Sequence, residues 1–130
     1  MRTRIIVGLA LLFVVGVGTL GARPTVGVDK QWTVTNFPDP VLVKRVVISG
    51  PVVIVHDSEK MARGEACTTF YRFKPGVGPQ EELVSFHCQP RQTGMATETM
   101  FTTIRTDAGC KQLIEYQIAG TDEAHGVPAR

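Results

Sequence analysis

The chain has little of what enzymes usually display. Its serines are Ser49, Ser58 and Ser85, and none sits in a Gly-x-Ser-x-Gly or Ser-x-x-Lys context, so the familiar hydrolase nucleophiles are absent. Its three histidines and three cysteines form no CxxC, CxxCH or HxxxH spacing, which removes the zinc, haem and redox signatures that sequence can show. No glycine-rich loop follows a strand and opens a helix, which argues against nucleotide binding. Glu81 and Glu82 are adjacent carboxylates, but neighbouring residues near a strand end point in opposite directions and do not make a catalytic pair. Aromatic residues make up 7% of the chain and do not interleave with a basic cluster, which argues against nucleic acid as a partner. These absences point away from catalysis.

What is present begins with Arg2 and Arg4, followed by the apolar stretch 5–22. A short basic head before an apolar run is the pattern of an export segment. As a helix the stretch would be about 27 Å long, close to the ~30 Å hydrocarbon core of a bilayer. Gly16, Gly18, Thr19, Gly21 and Ala22 make its far end small, as signal peptidase requires. Residues 1–22 are therefore expected to be a signal peptide or a signal anchor. In both cases the rest of the chain lies outside the cytoplasmic membrane, in the periplasm or beyond, and touches the membrane only through residues 5–22 if these are retained. Removing Arg2 and Arg4 from the 14 basic residues leaves 12, against 12 acidic ones, so the exported part is close to neutral.

Residues 23–31 have the composition of a linker. From there Val, Ile, Thr, Phe and Tyr recur in short runs bounded by Pro, Gly and Asp: 32–36, 41–49, 52–56, 66–73, 83–88, 97–105 and 112–119. Seven such runs predict an all-β domain over 32–120, a small antiparallel β-sandwich or barrel of about seven strands, preceded by the N-terminal hydrophobic helix. Gly50-Pro51 predicts a turn or bulge. Asp57 or Ser58 as a cap, with Gly64 as a stop, predicts one or two helical turns over 58–63, with Glu59 and Arg63 paired across a turn. The polar tail 121–130 is expected to be loosely held.

Runs 66–73 and 83–88 are joined by a loop with two Gly and two Pro, which predicts a hairpin. Placing Tyr71 opposite Val84 and Thr69 opposite Phe86 puts Cys67 opposite Cys88, within disulfide reach. In an oxidising compartment this pair is the expected disulfide staple, with reversible redox chemistry or metal ligation as alternatives. Cys110 follows the turn Asp107-Ala108-Gly109, where it is expected as a free thiol at the mouth of a second hairpin. With Ile104 opposite Gln112, that hairpin would put Ile104, Thr102 and Met100 on one face with Ile114, Tyr116 and Ile118.

The most polar stretch between strands supplies a candidate binding loop: His56, Asp57, Glu59, Lys60, Arg63 and Glu65. The candidate metal ligands are His56, Met61 and His87, whose His/Met/Cys company suits copper and whose His/carboxylate company suits zinc. His125 follows Asp122 and Glu123 in the tail. No cofactor is required by any motif. The segments HDSEKMARGEACTTFYRF, ELVSFHCQP and AGTDEAHGVP resemble stretches of small exported bacterial proteins without assigned function, which implies a cell-envelope setting and no activity. The expected role is a non-enzymatic module that binds a protein or small ligand, or serves structure, in the envelope. The alternative is a metal-binding or thiol-redox protein.

Overall fold

The computed structural model describes residues 30–130. The leader, and the linker before Lys30, lie outside the described residues. Eight strands follow in chain order: β1 (Lys30–Val43), β2 (Val46–Asp57), β3 (Thr68–Lys74), β4 (Gly78–Phe86), β5 (Gln89–Gln92), β6 (Met100–Arg105), β7 (Lys111–Gln117) and β8 (Glu123–Gly126). Among the described residues the one helical turn, α1 (Ser58–Ala62), joins β2 to β3. The domain is all-β, as the β-branched and aromatic runs require. Among the described residues no helix is long and apolar enough to cross a membrane.

All eight strands belong to one open sheet, in the order β4-β3-β2-β1-β7-β8-β5, with β6 on β7. This differs from the sandwich or barrel expected, and the length of β1 is the reason. Its first part pairs with β2, and its far end reaches β7, where Val41 and Leu42 run parallel to Lys111 and Gln112. That short parallel contact joins two antiparallel groups that would otherwise be separate sheets. The fourteen-residue β1 and twelve-residue β2 also redraw the strand boundaries, because the run 41–49 is split by a turn at Lys44-Arg45. Lys44 has φ 55, a left-handed conformation that costs a non-glycine residue about 1–2 kcal/mol. Lys-Arg carries no turn signal, so sequence did not reveal the break. Gly50 (φ 81) and Pro51 stay in the ladder opposite Phe37 and Asn36, and the bulge falls on β1 between Phe37 and Val41.

The core gathers Phe37, Val41, Val43, Ile48, Val52 and Ile54 from β1 and β2 with Phe70, Phe86, Leu113 and Tyr116. The second face of β1 and β2 is also partly apolar. Trp32 and Val34 are exposed there and line a groove of about 390 Å³ with Val53, Val55, Phe73 and Pro79.

Both expected hairpins form, with altered registers. In β3–β4, Phe70 faces Val84 and Thr68 faces Phe86, one residue away from the predicted alignment, and shifts follow at Phe70/Tyr71 and Tyr71/Phe73. A one-residue slip exchanges the faces of a strand. Phe70 and Thr68 therefore point into the core, and Tyr71 is half-exposed. In β6–β7 the predicted register holds near the turn, with Ile104 opposite Gln112. A bulge between Thr102 and Thr103 then shifts it, bringing Phe101 opposite Tyr116 and leaving Met100 and Ile104 exposed.

The helical turn is where the cap predicts it. Asp57 accepts from the backbone N–H groups of Glu59 (3.0 Å) and Lys60 (3.1 Å), and Gly64 follows at φ 72. The Lys60 N–H, more than any other neighbour, holds the Asp57 carboxyl below the usual range. Arg63 pairs with Glu65 at 3.0 Å rather than with Glu59. The tail expectation is corrected: residues 123–126 form β8 between β5 and β7, with Ala124 and His125 buried. The domain therefore extends past residue 120.

Candidate metal centre

Two rows of side chains meet over one end of the core. Across β2, β3 and β4 the register sets His56 beside Thr68 and Thr68 beside Phe86. Across β7, β8 and β5 it sets Tyr116 beside His125 and His125 beside Pro90. The rows face each other. The Tyr116 hydroxyl and Thr68 Oγ1 share a 2.5 Å hydrogen bond, and the rings of His56 and His125 lie 3.9 Å apart between centroids, tilted by 31°.

The two cysteines complete this end. Cys67 stands one residue before β3 and Cys88 two after β4, beyond the end of their ladder. There the Cys67 N–H donates to Phe86 O and the Cys88 N–H donates to Cys67 Sγ at 3.1 Å. The sulfurs are 2.7 Å apart and no bond joins them. That separation is longer than the roughly 2.05 Å of a disulfide and shorter than unbonded sulfurs approach, so the fold brings the expected pair together without forming the staple here. Cys88 Sγ is also 3.5 Å from His125 Nδ1 and 3.7 Å from the Met61 thioether, which α1 carries over the site.

One donor atom each from His56, Cys88 and His125 falls within 4.8 Å of the others, and all three residues are buried. Neither ring nitrogen of His56 has a hydrogen-bond partner, nor does Nε2 of His125. A buried polar group without a partner costs about 1–3 kcal/mol, so these three nitrogens mark an unmet demand for a ligand.

Burial governs the ionisation of the cluster. It pulls His125 down to about 4, with neighbouring His56 adding to the effect and Glu115 opposing it. It also lowers His56, against the pull of Asp57. It pushes the Cys88 thiol up to about 12, helped by its contact with Cys67, and it raises Tyr116. At neutral pH both imidazoles are neutral, the form that ligates metals, while the thiol must give up its proton to do so. The chemistry available is soft-metal ligation or thiol oxidation.

Of the residues singled out from sequence, His56 lies in the cluster and Met61 at its rim. His87 lies outside it. Its ring is exposed, with Nδ1 2.9 Å from Glu65 O and 4.0 Å from Cys67 Sγ. From the candidate binding loop only His56 reaches the cluster. Asp57 caps α1, Arg63 and Glu65 pair on the surface, and Glu59 and Lys60 are exposed. Cys110 is exposed beside the β6–β7 turn, away from the site. His125 is absent from the ligands expected from sequence because its segment has the polar composition of a tail. No family model, curated protein or solved structure matches the chain.

Proposed function

We propose that this is a metal-binding domain of an exported, non-catalytic envelope protein, with a thiophilic transition metal held by His56, Cys88 and His125. The observation that carries this reading is the convergence of three buried donor residues, two of them imidazoles with unpartnered nitrogens. Among the described residues these are the buried side-chain polar atoms without a partner, and a cation gives one nitrogen of each imidazole a partner. The leader supports the outer side of the cytoplasmic membrane as the place of action. Where a protein or small molecule was expected as the partner, a metal ion suits the donors better.

The 2.7 Å separation of Cys67 and Cys88 favours a second reading, an oxidised form in which the two residues are joined as a staple. That form withdraws the sulfur of Cys88 from any metal, so the two readings exclude each other in a single molecule. Metal analysis of untagged protein, before and after reduction, tests both. Copper or zinc is expected at about one ion per reduced chain. His125→Ala is expected to weaken binding about 100-fold, near 2.7 kcal/mol. Reduced protein with no stoichiometric metal, and two alkylation-resistant cysteines before reduction, would leave the staple as the role of this pair.

A further inference from the structure

Resting on the metal-binding reading, we infer that the centre selects monovalent copper over zinc, with Met61 as a weak fourth ligand that sets this preference. A closed zinc site takes four protein donors, and with two histidines here its two sulfurs would be Cys67 and Cys88. Cys67 stands outside the set of donors that lie within 4.8 Å of one another, so a Cys2His2 zinc site would require it to move into that set. The donors that already converge are two imidazoles and one thiol, and the nearest further donor is the thioether of Met61, 3.7 Å from Cys88 Sγ.

Thioethers and thiolates are soft ligands that select Cu(I), and a set of two His, one Cys and a weak Met belongs to copper chemistry. Charge points the same way. His56, His125 and Cys88 are all at most 1% exposed, so a net charge among them is expensive. On binding, Cu⁺ replaces the proton of the Cys88 thiol, which leaves to solvent. One thiolate and two neutral imidazoles then hold one positive charge, and the buried complex is neutral. A divalent zinc ion on the same three ligands leaves a positive charge uncompensated.

The position of Met61 explains how a buried site can be specific yet reachable. It is carried on a five-residue helical turn that buries no side chain of its own, held at its start by the Asp57 cap. The thioether is thus the donor nearest to solvent.

Anaerobic titration of the reduced full-length chain with Cu(I) and Zn(II), each against a chelator of known affinity, tests the inference. Cu(I) is expected to bind at about one equivalent and to resist an equal concentration of Zn(II). Met61→Leu is expected to weaken Cu(I) about tenfold and to change Zn(II) by less than about twofold. Cys67→Ser is expected to keep Cu(I) binding within about threefold, whereas a Cys2His2 zinc site would lose it. Far-UV circular dichroism confirms that each variant is folded. Displacement of Cu(I) by Zn(II), or equal loss of both metals in Met61→Leu, overturns the copper assignment and leaves the metal-binding reading standing. Failure of the wild-type chain to take up either metal overturns both.

Discussion

Phe70→Ala is expected to remove about 3–5 kcal/mol of stability, the cost of emptying a phenylalanine-sized space in a packed core. Phe70 is fully buried, lies opposite Ile54 on β2 and Val84 on β4, and packs its ring 6.1 Å from Phe86 and 6.3 Å from Tyr116. In a domain of this size the melting temperature should fall by more than about 12 °C. The neighbouring Tyr71→Ala is expected to cost only about 1 kcal/mol, because that side chain is half-exposed on the opposite face. The pair of variants also measures the register of β3 against β4. The alignment with Tyr71 opposite Val84 puts Tyr71 in the core and reverses the order of the two effects. Thermal unfolding followed by circular dichroism decides between them.

That register shows where sequence was informative. The strand content was legible because Val, Ile, Thr and aromatic residues cluster between breakers, and the β6–β7 turn because Asp-Ala-Gly places a glycine at the left-handed position, with Gly109 at φ 78. Alignment within β3–β4 was not legible. Its two irregularities depend on how both strands pack against the rest of the core, and no local pattern records them. The closeness of Cys67 and Cys88 survived the slip because both lie past the ladder, where the chain is free to bring them together.

The site was half legible for a related reason. His56 ends a strongly apolar strand beside a helix cap, and both features are local. His125 lies in a four-residue strand that exists only because β5 and β7 flank it. Nothing within Glu123–Gly126 announces a strand, since the pairing partners are distant in sequence. The convergence of the candidate donor set is thus a product of topology, and no spacing motif could have revealed it.

Acidification from pH 6.5 to pH 4 is expected to remove roughly 3 kcal/mol of stability from the metal-free domain through His125 alone, at about 1.4 kcal/mol per pH unit. In the unfolded chain a histidine takes up its proton near 6.5, whereas burial holds folded His125 down to about 4. Between these values the unfolded state binds more protons, so stability is complete above about 6.5 and declines as the pH falls. His56, also lowered by burial, acts in the same direction, against the partial opposition of Asp57. The surface carboxylates held low by Arg91, Arg63 and Arg72 lose their contribution only at more acid pH. Burial raises Glu123 and makes it oppose the histidines, so between pH 6.5 and 5 the part due to His125 is the difference between the wild-type and His125→Gln slopes. Urea midpoints measured across that interval check this, and His125→Gln is expected to flatten the slope. An unchanged slope in that variant would mean that His125 titrates normally and is not held in a dry cluster. Protons and a metal ion compete for the same imidazole nitrogens, so saturating metal should move the whole decline to lower pH. A displacement of the acid limb by metal, abolished with His125, ties the stability of this end of the core to the ligand its unpartnered nitrogens call for.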